Sequence, residues 1–312
     1  MSYHHIPVML DEVLGYLDCR PGKIYVDCTL GGCGHTLAIL SRIMPEGRLI
    51  GLDQDLDAIQ NAREVLRPFK NSVRLFHANF IRLPELLAQS DILAVDGILL
   101  DLGLSLHQLE SSGRGFSFLK DEPLDMRMDI RSSTSAGDLI NSMPEKELAR
   151  ILRQYGEERM SRKIARKIIA VRQQAPITTS RQLAELICSV VPIGAGAKHR
   201  IHPATRTFMA LRIAVNKELE RLDAFMQAAA DLLTPGGRLC VLSFHSLEDR
   251  IVKHSLKNME NACICPPDFP QCVCNKQKTM RVLTRRTVRP TDAEIRENRM
   301  ARSTKLRAAE KI

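Results

Sequence analysis

The chain has 312 residues, 44% hydrophobic and 26% charged, the balance of a globular protein long enough for one large domain or two modest ones. A net charge of +9 points to an anionic partner, and no apolar run reaches membrane-spanning length, which excludes a helical membrane protein. Without Trp and with only 4% aromatic residues, an extended base-stacking platform is excluded too.

Met1-Ser-Tyr-His-His-Ile-Pro7 carries no export pattern, so the nine cysteines are expected to stay reduced and the location to be cytoplasmic. Residues 8–18 have helical apolar spacing. Ile24-Tyr-Val-Asp27 is a short apolar run ending in an acid, and Gly31, Gly32 and Gly34 then make a tight turn before a helix from near His35 to about Ile43. The free N–H groups of that helix start face whatever lies above the turn. The spacing is not G-x-G-x-x-G. A carboxylate at the strand end, Asp27, repels a pyrophosphate but accepts hydrogen bonds from a cationic or hydroxyl-bearing ligand, so S-adenosylmethionine fits better than NAD. The competing explanation is a glycine turn that only packs a helix on a sheet.

Arg48-Leu-Ile-Gly-Leu-Asp53 reads as a second strand, with Asp53 placed to accept from ribose hydroxyls. Asp55 and Asp57 suit a helix start. Val73 to Phe80 gives a third strand, with Phe80 either stacking on a purine or packing in the core. Gly97 to Ser105 is a fourth, containing Asp101. Three strands of one parallel sheet thus end in Asp at the edge where ligands bind in such folds, which packing alone does not explain.

Residues 108–118 and 124–129 are polar loops of the kind that carry function. Helical patterns dominate 144–174, and Thr179 or Ser180 caps a helix through Val190. Residues 106–205 therefore read as an all-helical insertion, a substrate-recognition domain, between segments 1–105 and 206–312 of a Rossmann-like α/β domain. Arg159, Arg162, Lys163, Arg166, Lys167 and Arg172 form a cationic face on the insertion, either solvated or in contact with phosphate, and His199 to Arg206 adds further cations. One long helix is expected from Thr205 to Leu233, stopped by Thr234-Pro-Gly-Gly237, then a strand from Arg238 to Phe244 with His245 at its end.

Cys263, Cys265, Cys272 and Cys274 place four thiols within twelve residues, a candidate structural zinc set; reduced, metal-free thiols are the alternative. Residues 276–312 hold twelve Lys/Arg against four acids, most of the chain's excess charge, and read as a basic tail suited to nucleic acid.

Nine stretches together resemble a family: His4-His-Ile-Pro-Val-Met-Leu10, Asp27-Cys-Thr-Leu-Gly-Gly-Cys-Gly-His35, Gly97 to Ser105, Arg114-Gly-Phe-Ser-Phe118, Leu124-Asp-Met-Arg-Met-Asp129, Tyr155-Gly-Glu-Glu-Arg159, His202 to Phe208, Ser243 to Arg250, and Arg296 to Glu310. The family is the bacterial S-adenosylmethionine-dependent methyltransferases that modify N4 of a cytosine in the decoding centre of 16S ribosomal RNA. The resemblance runs almost end to end. It implies a class I methyltransferase sheet, S-adenosylmethionine as cofactor, and cofactor contacts at Cys33, Gly34, His35, Asp53, Phe80, Asp101 and Gln108. Asp101, Ser105 and His245 are the candidates for contact with the target amine. The family often has Gly or a small residue where Cys33 stands, and Ser where Thr36 stands; backbone contacts survive both changes. The partner implied is the small ribosomal subunit, with no membrane. A homodimer is compatible with the sequence, which does not fix the oligomeric state. A nicotinamide oxidoreductase shares the sheet and Asp53 but not the glycine pattern. A non-catalytic RNA-binding factor shares the basic tail but leaves the strand-end acids unexplained.

Overall fold

The computed structural model describes residues 7–191, 202–265, 271 and 273–312. Cys272, the opening of the first motif through Ile6, and the His199–Ile201 stretch lie outside the described residues. The chain forms two compact units, one built from Met1–Gly103 and Leu219–Ile312 and the other from Leu104–Glu218.

The first unit begins α1 (Leu10–Leu17), β1 (Ile24–Asp27), α2 (Gly34–Ile43), β2 (Arg48–Asp53), α3 (Leu56–Val65), β3 (Val73–His77), α4 (Leu83–Gln89) and β4 (Val95–Asp101). The second unit contributes α5 (Leu106–Glu110), α6 (Ala136–Ser142), α7 (Glu145–Gly156), α8 (Ser161–Arg172), α9 (Ser180–Val190) and α10 (Thr205–Asn216). The chain then continues with α11 (Glu218–Ala228), β5 (Leu233–Ser243), α12 (Ser246–Glu260), β6 (Met280–Val282), α13 (Asp292–Glu297) and β7 (Lys305–Lys311).

The sheet order is β3-β2-β1-β4-β5-β7-β6. Strands β1 to β5 pair in parallel, and β7 pairs antiparallel with both β5 and β6. Alternate residues of each inner strand point to opposite faces, so both faces must be apolar and covered. Val26, Ile50, Leu52, Ile98, Leu100 and Val241 join one core with Leu83 and Leu87 of α4, Phe225 of α11 and Val252 of α12. Tyr25, Leu49, Leu99, Cys240 and Leu242 join the other with α1, α2 and α3. The unit is a three-layer α/β sandwich of the doubly wound kind.

Residues 276–312 are not a tail. Leu306, Ala308 and Ala309 of β7 are fully buried, and β7 extends the sheet beside β5. Charge runs on an antiparallel strand can hide a buried face, because only every second residue must be apolar. Several of the cations are neutralised within the fold: Lys305 and Arg307 bond Asp249 at 3.1 and 2.6 Å, and Arg281 bonds Glu310 at 2.6 Å.

The second unit has its own apolar core, contributed by α6 to α10 and by Leu124, Met126 and Met128 of the preceding loop. The polar loop residues brace that loop. Arg114 Nη1 donates to the carbonyls of Arg127 and Met128 at 3.1 Å each, and Asn216 accepts from Met128 N at 2.8 Å while donating to Met126 O at 2.8 Å. Arg172 Nη1 donates to the carbonyls of Ile140 and Met143 at 2.6 and 2.8 Å, closing the end of α6, so it leaves the cationic face.

The boundary expected at 205/206 shifts to 218, and the single long helix expected there is two. Lys217 adopts φ 50°, ψ 42° and its N–H bonds Ile213 O, a left-handed stop that ends α10. α10 packs on α7 so closely that a Cβ on Gly156 would lie 2.5 Å from Arg206 O and 3.2 Å from Ala210 Cβ. Gly156→Ala is therefore expected to destabilise the helical unit by about 1–3 kcal/mol, through overpacking against a backbone that cannot yield. Chemical denaturation followed by circular dichroism checks this; unaltered stability would mean the two helices are not in close contact.

Candidate active site

The C-terminal edge of β1, β2 and β4 carries Asp27, Asp53 and Asp101, as the sequence reading places them. Their surroundings differ, and those differences assign their roles.

Asp27 is 1% exposed and is committed to the protein. Its Oδ2 accepts from Thr36 Oγ1 at 2.6 Å and its Oδ1 accepts from Thr29 N at 3.0 Å. Thr29 Oγ1 in turn accepts from Asp101 N at 2.7 Å, so one threonine ties the ends of β1 and β4 together. The expectation that Asp27 receives a ligand is corrected: at 1% exposure its carboxylate is closed to one, and it clamps the turn. Burial pushes its carboxyl up to about 6 against the hydrogen bonds that pull it down.

Asp53 holds the glycine turn from the other side. Its Oδ2 accepts from Gly31 N at 3.0 Å and its Oδ1 from Asp55 N at 2.8 Å, while Asp55 caps α3 through Asp57 N. Each carboxylate oxygen keeps a second lone pair, and the residue is only half-buried, so hydroxyls can still approach. Burial pushes its carboxyl up to about 7.

Cys33 is the N-cap of α2 at φ 65° and ψ 15°, and it makes no side-chain cap bond. A left-handed N-cap explains why glycine suits this place. Its side chain is fully buried, which leaves the helix start to be satisfied from outside by something other than the cap. The His35 ring is buried as well: Nε2 lies 3.0 Å from Val8 O, and Nδ1 lies 3.5 Å from Asp101 Oδ2. With Nε2–H donated to a carbonyl, a proton must sit between Nδ1 and the carboxyl for that contact to attract. Its imidazole therefore faces the protein, and only its backbone belongs to the helix start.

Asp101 is the acid left over. Its Oδ1 is buried and has no hydrogen-bond partner among the described residues. Burial, reinforced by the nearby Asp27 and Glu248, raises its carboxyl well above the usual range. A buried orphan oxygen at the ligand edge of a parallel sheet marks a place where an absent group belongs.

The remaining predicted residues have definite places. Phe80 is 8% exposed and meets Phe225 edge-on at 5.4 Å, within the core. Ser105 and Gln108 lie in the helical unit and form a reciprocal cap on α5, Gln108 N donating to Ser105 Oγ at 3.2 Å and Ser105 N to Gln108 Oε1 at 3.0 Å. His245 caps α12, its Nδ1 accepting from Glu248 N at 3.4 Å; its Nε2 lies 3.2 Å from Glu248 Oε1, outside hydrogen-bonding geometry. Glu248 is a buried acid that sequence reading passed over. Its Oε2 accepts from Phe244 N and His245 N at 2.9 and 3.3 Å, and its spacing three residues after the cap was the available signal.

A doubly wound sheet with an antiparallel β7, a glycine turn under an uncapped helix start, and acids at three strand ends defines a class I methyltransferase. The chain belongs to the MraW methylase family, whose model matches residues 2–312. It is 52% identical to the ribosomal RNA small subunit methyltransferase H of Desulfosudis oleivorans, over the whole of both chains. It is 51% identical to the protein of the same name from Geobacter sulfurreducens, again over all of both. S-adenosylmethionine is the methyl donor. The orphaned Asp101 Oδ1, the uncapped start of α2 and the spare lone pairs of Asp53 fit a ligand that is cationic at one end and hydroxyl-bearing in the middle.

Asp53 takes up its proton more readily in the folded chain than in the unfolded one, where an aspartate titrates near 3.9. The folded chain therefore binds more protons between about pH 4 and pH 7, and the stability this contributes falls as pH rises through that window. Asp53→Asn is expected to gain in Tm on the parent between about pH 5 and pH 8, by roughly 2–4 °C per kcal/mol removed. Thermal scans of both ligand-free proteins test it; a constant difference would mean that Asp53 titrates normally.

Proposed function

We propose that the chain methylates N4 of one cytidine in the decoding centre of 16S ribosomal RNA, acting on the small ribosomal subunit. The observation that carries this reading is full-length identity of 52% and 51% to proteins named for small-subunit rRNA methylation. The charge distribution supports it. Arg285, Arg286, Arg289, Arg296, Arg299 and Arg302 are exposed, and none has an acidic partner among the described residues, unlike the cations of β7. Six forked guanidiniums within eighteen residues suit phosphate oxygens. Arg159, Arg162, Lys163 and Lys167 give the helical unit a second such surface and its substrate-recognition role.

Bound S-adenosylmethionine supplies an electrophilic methyl group on a sulfonium. The backbone of Cys33, Gly34 and His35 at the start of α2 receives its carboxylate, Asp53 its ribose hydroxyls and Asp101 its cationic end. Phe80 and Gln108 stand as contacts on the resemblance, Phe80 with 8% of its surface exposed.

Cytosine N4 is a poor nucleophile because its lone pair is conjugated into the ring. An acceptor on its N–H restores lone-pair character, and the amine must be held in line with the methyl. Asp101 is the preferred acceptor: its Oδ1 is unengaged among the described residues and belongs to a carboxylate, whereas Ser105 Oγ and His245 Nδ1 already accept from helix N–H groups and His245 Nε2, likewise unpartnered, lacks a carboxylate's charge. The nearby sulfonium favours the ionised carboxylate, which takes up the proton that the amine releases. The target base must be unpaired or flipped out to reach such an edge.

The test uses methyl-labelled S-adenosylmethionine and small subunits from cells lacking the modification, with nucleoside analysis of the RNA. Label in N4-methylcytidine is expected; label in another nucleoside would overturn the base assignment. Asp101→Asn should lower the transfer rate by about 10²- to 10⁴-fold with cofactor binding measured separately by calorimetry. Full activity in that variant would remove Asp101 from the chemistry. Replacing Arg285, Arg286 and Arg289 by Ala should weaken subunit binding and reduce the slope of log K against log salt by about 2. An unchanged slope would place the phosphates elsewhere.

A further inference from the structure

Away from the sheet edge, in the connection between α12 and β6, three thiols converge. The sulfurs of Cys263, Cys265 and Cys274 all lie within 4.8 Å of one another. Those of Cys263 and Cys274 are 3.8 Å apart. A tetrahedral site with metal–sulfur distances of about 2.3 Å sets its sulfurs about 3.8 Å apart, whereas a disulfide requires about 2.05 Å. The spacing is that of a metal tetrahedron's edge.

Two backbone groups support the same reading. Ile264 N donates to Cys274 Sγ at 3.5 Å and Cys265 N donates to Cys263 Sγ at 3.3 Å. Donors aimed at sulfur favour the thiolate, and thiolate is the form that binds metal. Among the described residues, the connection has no apolar core to hold it. Its large aliphatic side chains, Ile264 and Val273, are 65% and 67% exposed, so hydrophobic burial does not explain why residues eleven apart in sequence meet here. A segment without a core needs another source of order, and a metal site is one.

We propose that Cys263, Cys265 and Cys274 are ligands of a structural zinc ion that staples the α12–β6 connection. Soft thiolates at tetrahedral spacing select zinc over the harder divalent ions. The ion takes no part in methyl transfer. Its effect is to fix the path by which the chain enters β6 and the arginine-rich stretch behind it.

The experiment measures metal in the full-length protein purified with reductant and without chelator. About one zinc per chain is expected, released by a mercurial thiol reagent and replaced by cobalt with a sulfur-to-metal charge-transfer band and tetrahedral d–d bands. Cys263→Ser combined with Cys274→Ser should lose the zinc. Cys19→Ser and Cys188→Ser, which lie outside the cluster, should retain it. The cobalt spectrum is taken on the parent protein, so it tests the site even if the double variant folds poorly. Absence of zinc with no cobalt–thiolate band overturns the proposal. So does iron with labile sulfide in place of zinc, or a disulfide among these cysteines mapped in the native protein.

Discussion

The hydrogen-bonded clamp between β1 and β4 is the constraint on which the active edge depends. Asp27 accepts from Thr36 and from the Thr29 backbone, and Thr29 accepts from Asp101 N at 2.7 Å. A carboxylate buried to 1% exposure is costly unless its lone pairs are filled, and the clamp fills them with groups that must stand in fixed places. It thereby locks the turn, the start of α2 and the backbone of Asp101 into one rigid piece. With Asp27 and Asp53 bound to groups of the turn, Asp101 is left with an oxygen that has no partner among the described residues.

That division of labour has an electrostatic consequence. Burial raises all three carboxyls, Asp27 to about 6, Asp53 to about 7 and Asp101 well above the usual range, and neighbouring acids add to the rise at Asp53 and Asp101. A cationic ligand relieves the repulsion. An edge with several acids close together suits a cationic ligand.

The C-terminal segment serves two ends at once. β7 must be apolar on alternate residues to sit beside β5, its cations are drawn into pairs with Asp249 and Asp231, and its Glu310 pairs with Arg281 of β6. The arginines between β6 and β7 have no such partners among the described residues and remain exposed. Charge available to an anionic polymer is thus far less than the formal count of the segment, and it is concentrated in one class of side chain suited to phosphate.

Much of this was legible in the chain itself. The strands β1, β2 and β4 announce themselves as apolar runs ending in Asp27, Asp53 and Asp101, because a strand covered on both faces has no freedom to be polar until it leaves the sheet. The capping boxes at Thr179 and Ser105 are local, since each joins groups three residues apart. What tertiary structure alone decided are the contacts between distant residues. The sequence cannot say that Asp27 is occupied by Thr36 while Asp101 is not, that Phe80 meets Phe225, or that Lys305 and Arg307 face Asp249. Nor does local propensity show that the helix stops at Lys217, where a left-handed residue ends α10. Residue type and spacing determine which groups arrive at the edge of the sheet; only packing determines which of them still has a lone pair to offer.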